Sequence, residues 1–210
     1  MLTPGLERQR AQMAKTNPKS ADGSLRIVAG NLRGSRLAVP DVKGLRPTPD
    51  RVRETLFNWL APVIVGARCL DLYAGTGALG IEALSRGAAS CVFVERERGL
   101  YELLRQNLTR LRIAGARVVN GDAQGFLATP PPAEVFDLVF LDPPFVANLW
   151  TSAASQLEQA GWLCAGAYIY VETPLDAVFE SPAGWSPYRE GHAGTVRFAL
   201  YRRLAPDPLS

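Results

Sequence analysis

Asp142-Pro143-Pro144-Phe145 follows directly on an apolar run, Phe136–Leu141. Two consecutive prolines fix φ and carry no N–H, so the carbonyls there have no competing donor beside them. The Asp142 carboxylate and the Pro143 carbonyl can then both accept from one external NH₂ group. A nucleophilic exocyclic amine needs that arrangement. Its lone pair is delocalised into the ring, and two acceptors on its hydrogens favour the pyramidal form that attacks in line, aided by proximity and electrostatics. Phe145 offers a face on which a base can stack. Taken alone, Asp-Pro is also ordinary turn chemistry.

A second group lies roughly 65 residues upstream, in Leu70-Asp71-Leu72-Tyr73-Ala74-Gly75-Thr76-Gly77-Ala78-Leu79-Gly80. Gly75, Gly77 and Gly80 form G-x-G-x-x-G between a strand and a helix, where glycine permits a tight turn and the helix amides face a ligand. Glu95 ends the next strand, 20 residues after Gly75, where a carboxylate can accept from both hydroxyls of a ribose. The context points to a nucleotide-type cofactor. Nicotinamide dinucleotide and S-adenosylmethionine both remain open on the glycines alone. Asp71, just before the loop, suits a cofactor with a positive sulfonium and an α-amino group better than it suits a pyrophosphate. Asp122, in Asn120-Gly121-Asp122-Ala123, could hold an adenine amino group, cap the helix starting at Ala123, or both.

These residues need a frame. After Pro62 the apolar pattern alternates between strands, at Arg68–Tyr73, Ser90–Glu95, Arg117–Asn120, Phe136–Leu141, Ala167–Glu172 and Thr195–Arg202, and helices, near Gly77–Ser85, Leu100–Ile113 and Asn148–Ala160. Buried strands with crossover helices predict an α/β, doubly wound, mostly parallel sheet. A closing hairpin around Glu190–Gly194 makes one antiparallel strand the expectation. Upstream, Leu25–Ala29 and Ser35–Val39 read as a β-hairpin decorated by Arg26, Arg33 and Arg36. A helix starting near Thr48 or Asp50 follows, with Val52, Leu56, Trp59 and Leu60 on its apolar face. The expected organisation is a disordered lead over 1–24, a hairpin-and-helix extension over 25–62 and a catalytic domain over 63–205.

Charge divides along the same lines. The 210 residues carry 23 Lys+Arg and 20 Asp+Glu, a formal net charge of +3. Residues 1–60 alone hold 11 basic and 5 acidic side chains, a net of +6, and the remainder is net −3. A basic arm on a mildly acidic body suits a polyanionic partner at one end, although a solvated tail gives the same arithmetic. The three cysteines, Cys69, Cys91 and Cys164, have no metal-ligand spacing and read as buried free thiols. One histidine, His192, makes paired-histidine metal sites and a histidine triad improbable, so no metal is expected. No run is long and apolar enough for a bilayer, and no secretory h-region is seen, so a cytoplasmic protein with no membrane partner is expected.

Asp142–Phe145 together with Asp71-Leu-Tyr-Ala-Gly-Thr-Gly77 resembles class I S-adenosylmethionine-dependent methyltransferases acting on exocyclic amines. Gly44-Leu-Arg-Pro-Thr-Pro-Asp-Arg-Val-Arg-Glu-Thr-Leu-Phe-Asn-Trp59 and Arg26-Ile-Val-Ala-Gly-Asn-Leu-Arg-Gly34 narrow the resemblance to the bacterial RsmD family of 16S rRNA (guanine-N2) methyltransferases, over roughly residues 25–203. That resemblance implies a Rossmann-like seven-stranded sheet and S-adenosylmethionine as cofactor. It implies a guanine of 16S rRNA, in the small ribosomal subunit or an assembly intermediate, as acceptor. By position, Tyr73, Ala74, Gly75, Gly77, Glu95, Asp122 and Ala123, with Asp71, would line the cofactor. Asp142, Pro143, Pro144 and Phe145 would hold the base. Lys43, Arg46, Thr48, Arg51 and Arg53 would meet RNA or close over the site, beside Arg26, Arg33 and Arg36. A monomer is expected.

Three other readings compete. A methyltransferase for adenine N6 or protein glutamine would more often carry Asn-Pro-Pro-Tyr. A nicotinamide-dependent oxidoreductase leaves Asp142–Phe145 idle. A non-catalytic RNA-binding module explains the arm alone.

Overall fold

The computed structural model describes residues 23–40, 48–131 and 135–204. The expected lead over 1–24 thus falls outside the described residues, except for Gly23 and Ser24, which already belong to a strand. Lys43 and Arg46 also fall outside them. An antiparallel hairpin, β1 (Gly23–Arg26) with β2 (Arg36–Val39), precedes α1 (Asp50–Leu60). Strand and helix then alternate through β3 (Arg68–Asp71), α2 (Ala78–Ser85), β4 (Ser90–Glu95), α3 (Arg98–Arg110), β5 (Ala116–Asn120), α4 (Ala123–Leu127), β6 (Phe136–Leu141), α5 (Trp150–Gln159), β7 (Leu163–Pro174), β8 (Trp185–Ala193) and β9 (Val196–Arg203).

The central sheet has seven strands in the order β5-β4-β3-β6-β7-β9-β8. β9 runs antiparallel to both its neighbours and the remaining pairings are parallel. This is the expected doubly wound sheet with one reversed strand. Each inner strand is apolar on both faces. Cys69, Leu138, Phe140 and Tyr170 enter one apolar cluster, and Leu70, Val139, Leu141 and Ile169 enter the other. Helices therefore cover both sides of the sheet.

The extension is built into this core. Leu25, Ile27 and Leu37 of the hairpin join Val52, Leu56, Phe57 and Leu60 of α1 in the same cluster as β3 and β6. Trp59 is half-buried and stacks on Phe198 of β9, ring centroids 5.5 Å apart.

Several boundaries depart from the sequence pattern, β1 ending at Arg26 and β3 at Asp71 among them, and two of the departures have a packing reason. β8 runs straight through Glu190–Ala193, so His192 lies in a strand and the turn falls at Gly194 and Thr195. Gly191 signals packing and not a turn, because a Cβ there would meet the Phe198 ring at 2.6 Å. β7 begins at Leu163, four residues earlier than expected. Its register on β6 shifts between Phe136 and Leu138, and Gly166 takes φ +79° within that irregular stretch. An isolated glycine in a strand marks such a bulge as readily as an end.

Candidate active site

Parallel pairing of β3 with β6 (Leu70 opposite Val139, Asp71 opposite Phe140) releases the glycine loop and the Asp142 loop side by side at the carboxyl edge of the sheet. The crevice outside the carboxyl ends of such strands is where doubly wound folds bind ligands. Gly75 and Gly77 have φ of 52° and 77°, a left-handed geometry that costs other residues free energy. Gly77 caps α2 without any side-chain hydrogen bond. Gly80 answers a packing need: a Cβ would lie 2.2 Å from the Phe93 ring and 2.7 Å from Cys91 Sγ. Its N–H donates to Asp71 Oδ2 at 3.0 Å, which joins the end of β3 to the first turn of α2.

Glu95 is buried and braced. Gly75 N–H donates to Oε2 at 2.8 Å and Glu97 N–H to Oε1 at 2.7 Å, so the carboxylate is fixed at the rim of the loop. Ala74 is tied to the same strand through its N–H to the Val94 carbonyl at 3.0 Å. Asp122 caps α4 by accepting from Gly125 N–H at 2.8 Å and keeps its side chain at the surface, while Ala123 is buried behind it. Tyr73 Oη is buried with no hydrogen-bond partner among the described residues. Burial first, and Asp122 second, push the Tyr73 hydroxyl up to about 12, so it stays neutral and free to donate. An open glycine turn, a fixed carboxylate at the next strand's end and an unmet hydroxyl fit a nucleoside cofactor.

The Asp142 loop is built on β6. Asp142 is half-buried and Pro143 buried, whereas Pro144 and Phe145 are exposed. Phe145 opens a short 3-10 turn, Phe145–Ala147, is 39% exposed, and tilts against the Trp150 ring with centroids 6.0 Å apart. A partly free aromatic face beside a carboxylate is what a base and its amine require.

Asp71 and Glu172, both buried, and the half-buried Asp142 form an acidic group at the carboxyl ends of β3, β7 and β6. Burial raises the Asp71 carboxyl to about 7, against the Gly80 hydrogen bond and with Glu95 adding to the rise. Burial again, then Glu172 and Asp71, hold Asp142 well above the ordinary carboxylate range. Glu172 is raised by burial, opposed by hydrogen bonds from Tyr170 and Thr48.

Of the basic residues expected to meet RNA, Arg26, Arg33, Arg36 and Arg51 are exposed. Arg53 is not. It is 0% exposed, pairs with Glu82 of α2 and Asp50, and donates through Nη2 to the Arg26 carbonyl at 2.8 Å. Its place on α1 turns it inward, onto a carboxylate that sequence spacing does not reveal. Thr48 is likewise buried, 6% exposed, with its hydroxyl on Glu172 and not at the surface. Glu82, Ser85 and Glu172 all escape the sequence reading. The available signal is a polar residue inside an otherwise apolar run, in Ala78–Ala83 and in Ala167–Glu172.

Among the described residues no group of three or more His, Cys, Asp or Glu could hold a metal, and no helix is long and apolar enough to cross a membrane. Cys69, Cys91 and Cys164 are free thiols, the first two buried and the third half-buried against Asp137.

Comparisons with known proteins bear on the family and the fold. The family described as conserved hypothetical protein 95 matches residues 25–202. Ribosomal RNA small subunit methyltransferase D of Escherichia coli K12 is 50% identical over 194 residues, 92% of this chain and 96% of that protein. The Haemophilus influenzae protein of the same name is 44% identical over 192 residues, 90% and 100% of the two chains. A solved Escherichia coli structure, 50% identical, superposes with a TM-score of 0.81 over 88% of this chain and 100% of its own. An RNA methyltransferase from Salinibacter ruber, solved with S-adenosyl-L-homocysteine, shares the fold at 20% identity and a TM-score of 0.59, over 79% of this chain and 98% of its own. The chain belongs to the conserved hypothetical protein 95 family, alongside the ribosomal RNA small subunit methyltransferase D proteins.

Proposed function

We propose that this chain transfers a methyl group from S-adenosylmethionine to the exocyclic N2 of a guanine in 16S rRNA of the small ribosomal subunit. The observation that carries the reading is the juxtaposition of Asp142–Phe145 with the glycine loop on paired strands. The names of the relatives support the small-subunit substrate, and the ligand of the Salinibacter ruber structure supports the cofactor.

When bound, S-adenosylmethionine supplies a methyl group on a positively charged sulfur. Gly75 and Gly77 let the backbone approach it, Glu95 accepts from the ribose hydroxyls, and Asp122 accepts from the adenine amino group. Asp71 contributes negative charge at the loop. On the acceptor side, the Asp142 carboxyl and the Pro143 carbonyl hold the two hydrogens of the guanine amine, and Phe145 stacks on the base. The guanine must leave its own stack to reach them, at a cost of a few kcal/mol. Arg26, Arg33, Arg36 and Arg51 meet phosphates, which position the RNA but carry no sequence information.

Labelled S-adenosylmethionine, supplied with small-subunit particles and with naked 16S rRNA, tests the reading through the nucleosides of the digest. N2-methylguanosine is expected from the particles. N6-methyladenosine, or no label, overturns the proposal.

A further inference from the structure

Glu172 has no place in the scheme above, yet it stands level with the acceptor carboxyl on the neighbouring strand. β6 and β7 pair in parallel with Leu141 opposite Val171, so the next residues, Asp142 and Glu172, come side by side at the carboxyl edge. Tyr170, two residues back on the same face of β7, donates its hydroxyl to Glu172 Oε1 at 2.7 Å inside the core. From the segment leading into α1, the buried Thr48 hydroxyl reaches the same carboxyl. The titratable groups around Glu172 are Asp142 from β6 and Tyr170 from its own strand, while Asp71 of β3 faces Asp142. β9 places apolar Phe198 opposite it. Among the described residues no arginine or lysine lies within ion-pair distance of Glu172 or Asp142. The ion pairs on the flanking strands, Arg68–Asp137 on β3 and β6 and Arg197–Glu190 on β9 and β8, are made with other carboxylates.

We propose that Glu172 is a positioning residue for methyl transfer: its charge, held by two hydroxyl donors, makes Asp142 the acceptor of the proton that the methylated amine must lose. The proposal rests on the reading of an amine as the methyl acceptor. Once nitrogen has bonded to the methyl carbon it is a cation with one hydrogen too many. The N–H bond breaks, its electron pair returns to nitrogen, and the proton bonds to an Asp142 carboxylate oxygen. Two carboxyls side by side, one buried and one half-buried, resist carrying two negative charges, so a proton arriving at one relieves both. Without Glu172, Asp142 would hold the amine as a hydrogen-bond acceptor but would be a weak base. With it, one carboxyl both orients the amine and takes its proton. Thr48 makes the same point sensitive to the RNA-facing segment, because any movement of residue 48 changes the donors on Glu172.

The test compares Glu172→Gln, which keeps an acceptor for Tyr170 and Thr48 but removes the charge, with Thr48→Val, which removes a donor. In Glu172→Gln, kcat on the plateau above its acid limb is expected to fall about three- to tenfold, the loss that a base weakened by about one pH unit allows. KM for cofactor and RNA should change less than about twofold, and the acid limb of the kcat profile should move down by about one pH unit. Thr48→Val, which lets Glu172 take up a proton more readily, should move that limb the same way by a smaller amount. A readout without turnover accompanies both: the carbon-13 carboxyl shift of Asp142, followed against pH in the free protein, should titrate lower in Glu172→Gln than in the unaltered chain. An unmoved Asp142 titration in a folded Glu172→Gln protein overturns the proposal, as does a rise in KM with kcat and its pH profile unchanged. If the product proves to be another methylated amine, the guanine reading fails while both titrations still decide the role of Glu172.

Discussion

Arg53 Nη1 lies 3.2 Å from Glu82 Oε2, and both side chains are wholly excluded from solvent. The same carboxylate accepts Val28 N–H at 2.8 Å, Ala29 N–H at 3.0 Å and Arg86 Nε–H at 2.8 Å. One glutamate on α2 thus gathers the hairpin, α1 and its own helix. Four donors satisfy its oxygens, the condition under which a buried carboxylate is tolerated.

Removing one partner of a buried pair strands the other. Arg53→Met should lower unfolding free energy by about 3–5 kcal/mol, visible as a lower urea midpoint. Exchange of the Val28 and Ala29 amides should accelerate at the same time. A loss under about 1 kcal/mol, as for a surface pair, would contradict the packing described.

Arg51 and Arg53 sit two residues apart on α1 and answer differently to salt. Arg51→Ala should reduce the slope of log affinity for small-subunit RNA against log salt by about one unit, as expected when one phosphate is no longer neutralised. Arg53→Met, measured where it is still folded, should leave that slope alone. Equal effects on the slope would mean that Arg53 reaches the RNA after all.

Phe145 is exposed and meets Trp150 at a tilt, so its removal costs the fold little. Phe145→Ala should shift stability by less than about 0.5 kcal/mol and weaken engagement of the target base by about 1–3 kcal/mol. Substrate saturation and thermal unfolding of the same preparation separate the two effects.

The Asp71 carboxyl rises on folding from its ordinary 3.8 to about 7, chiefly through burial. An acid raised in the native state binds its proton more tightly there than in the unfolded chain. Stability from that proton is therefore full below the unfolded value and is lost as pH climbs towards 7. Asp71→Asn keeps an acceptor for Gly80 N–H and removes the titration. The variant should gain on the unaltered chain between pH 4 and 7, by as much as about 4 kcal/mol for a shift of this size. Denaturant midpoints at several pH values, without cofactor, give the comparison. A constant difference across that range would show that Asp71 does not carry the shift.

Periodicity makes the sheet legible. Strands Ser90–Glu95 and Phe136–Leu141 have the bounds expected of them, because both faces are apolar and each meets a carboxylate at its carboxyl end. The glycine loop and Asp142–Phe145 stand out for the same reason: special backbone geometry demands residues that nothing else would select. Arg53 and Thr48 mislead because local spacing cannot say which way a polar residue turns when its partner lies 29 or more residues away. Glu82 and Glu172 are hidden by the same distance. Gly191 and Gly166 resemble strand ends because glycine serves turns, bulges and close packing alike.

The hairpin's hold on α2 bears on how the chain can be cut. Its tip is fastened by Asn31 N–H to the Ser85 carbonyl at 2.8 Å and by Ser85 Oγ to the Ala29 carbonyl at 2.6 Å, with Gly30 lying too close to Ser85 for any side chain. A fragment trimmed to begin at Thr48 would keep every strand of the central sheet and both loops of the crevice. It would also take Ile27 and Leu37 out of the core, strip two amides from Glu82 and remove the partners of Ser85, all around the helix that follows the glycine loop. A fragment that keeps this packing must therefore keep the hairpin, and the basic extension is no detachable module to be grafted, swapped or deleted.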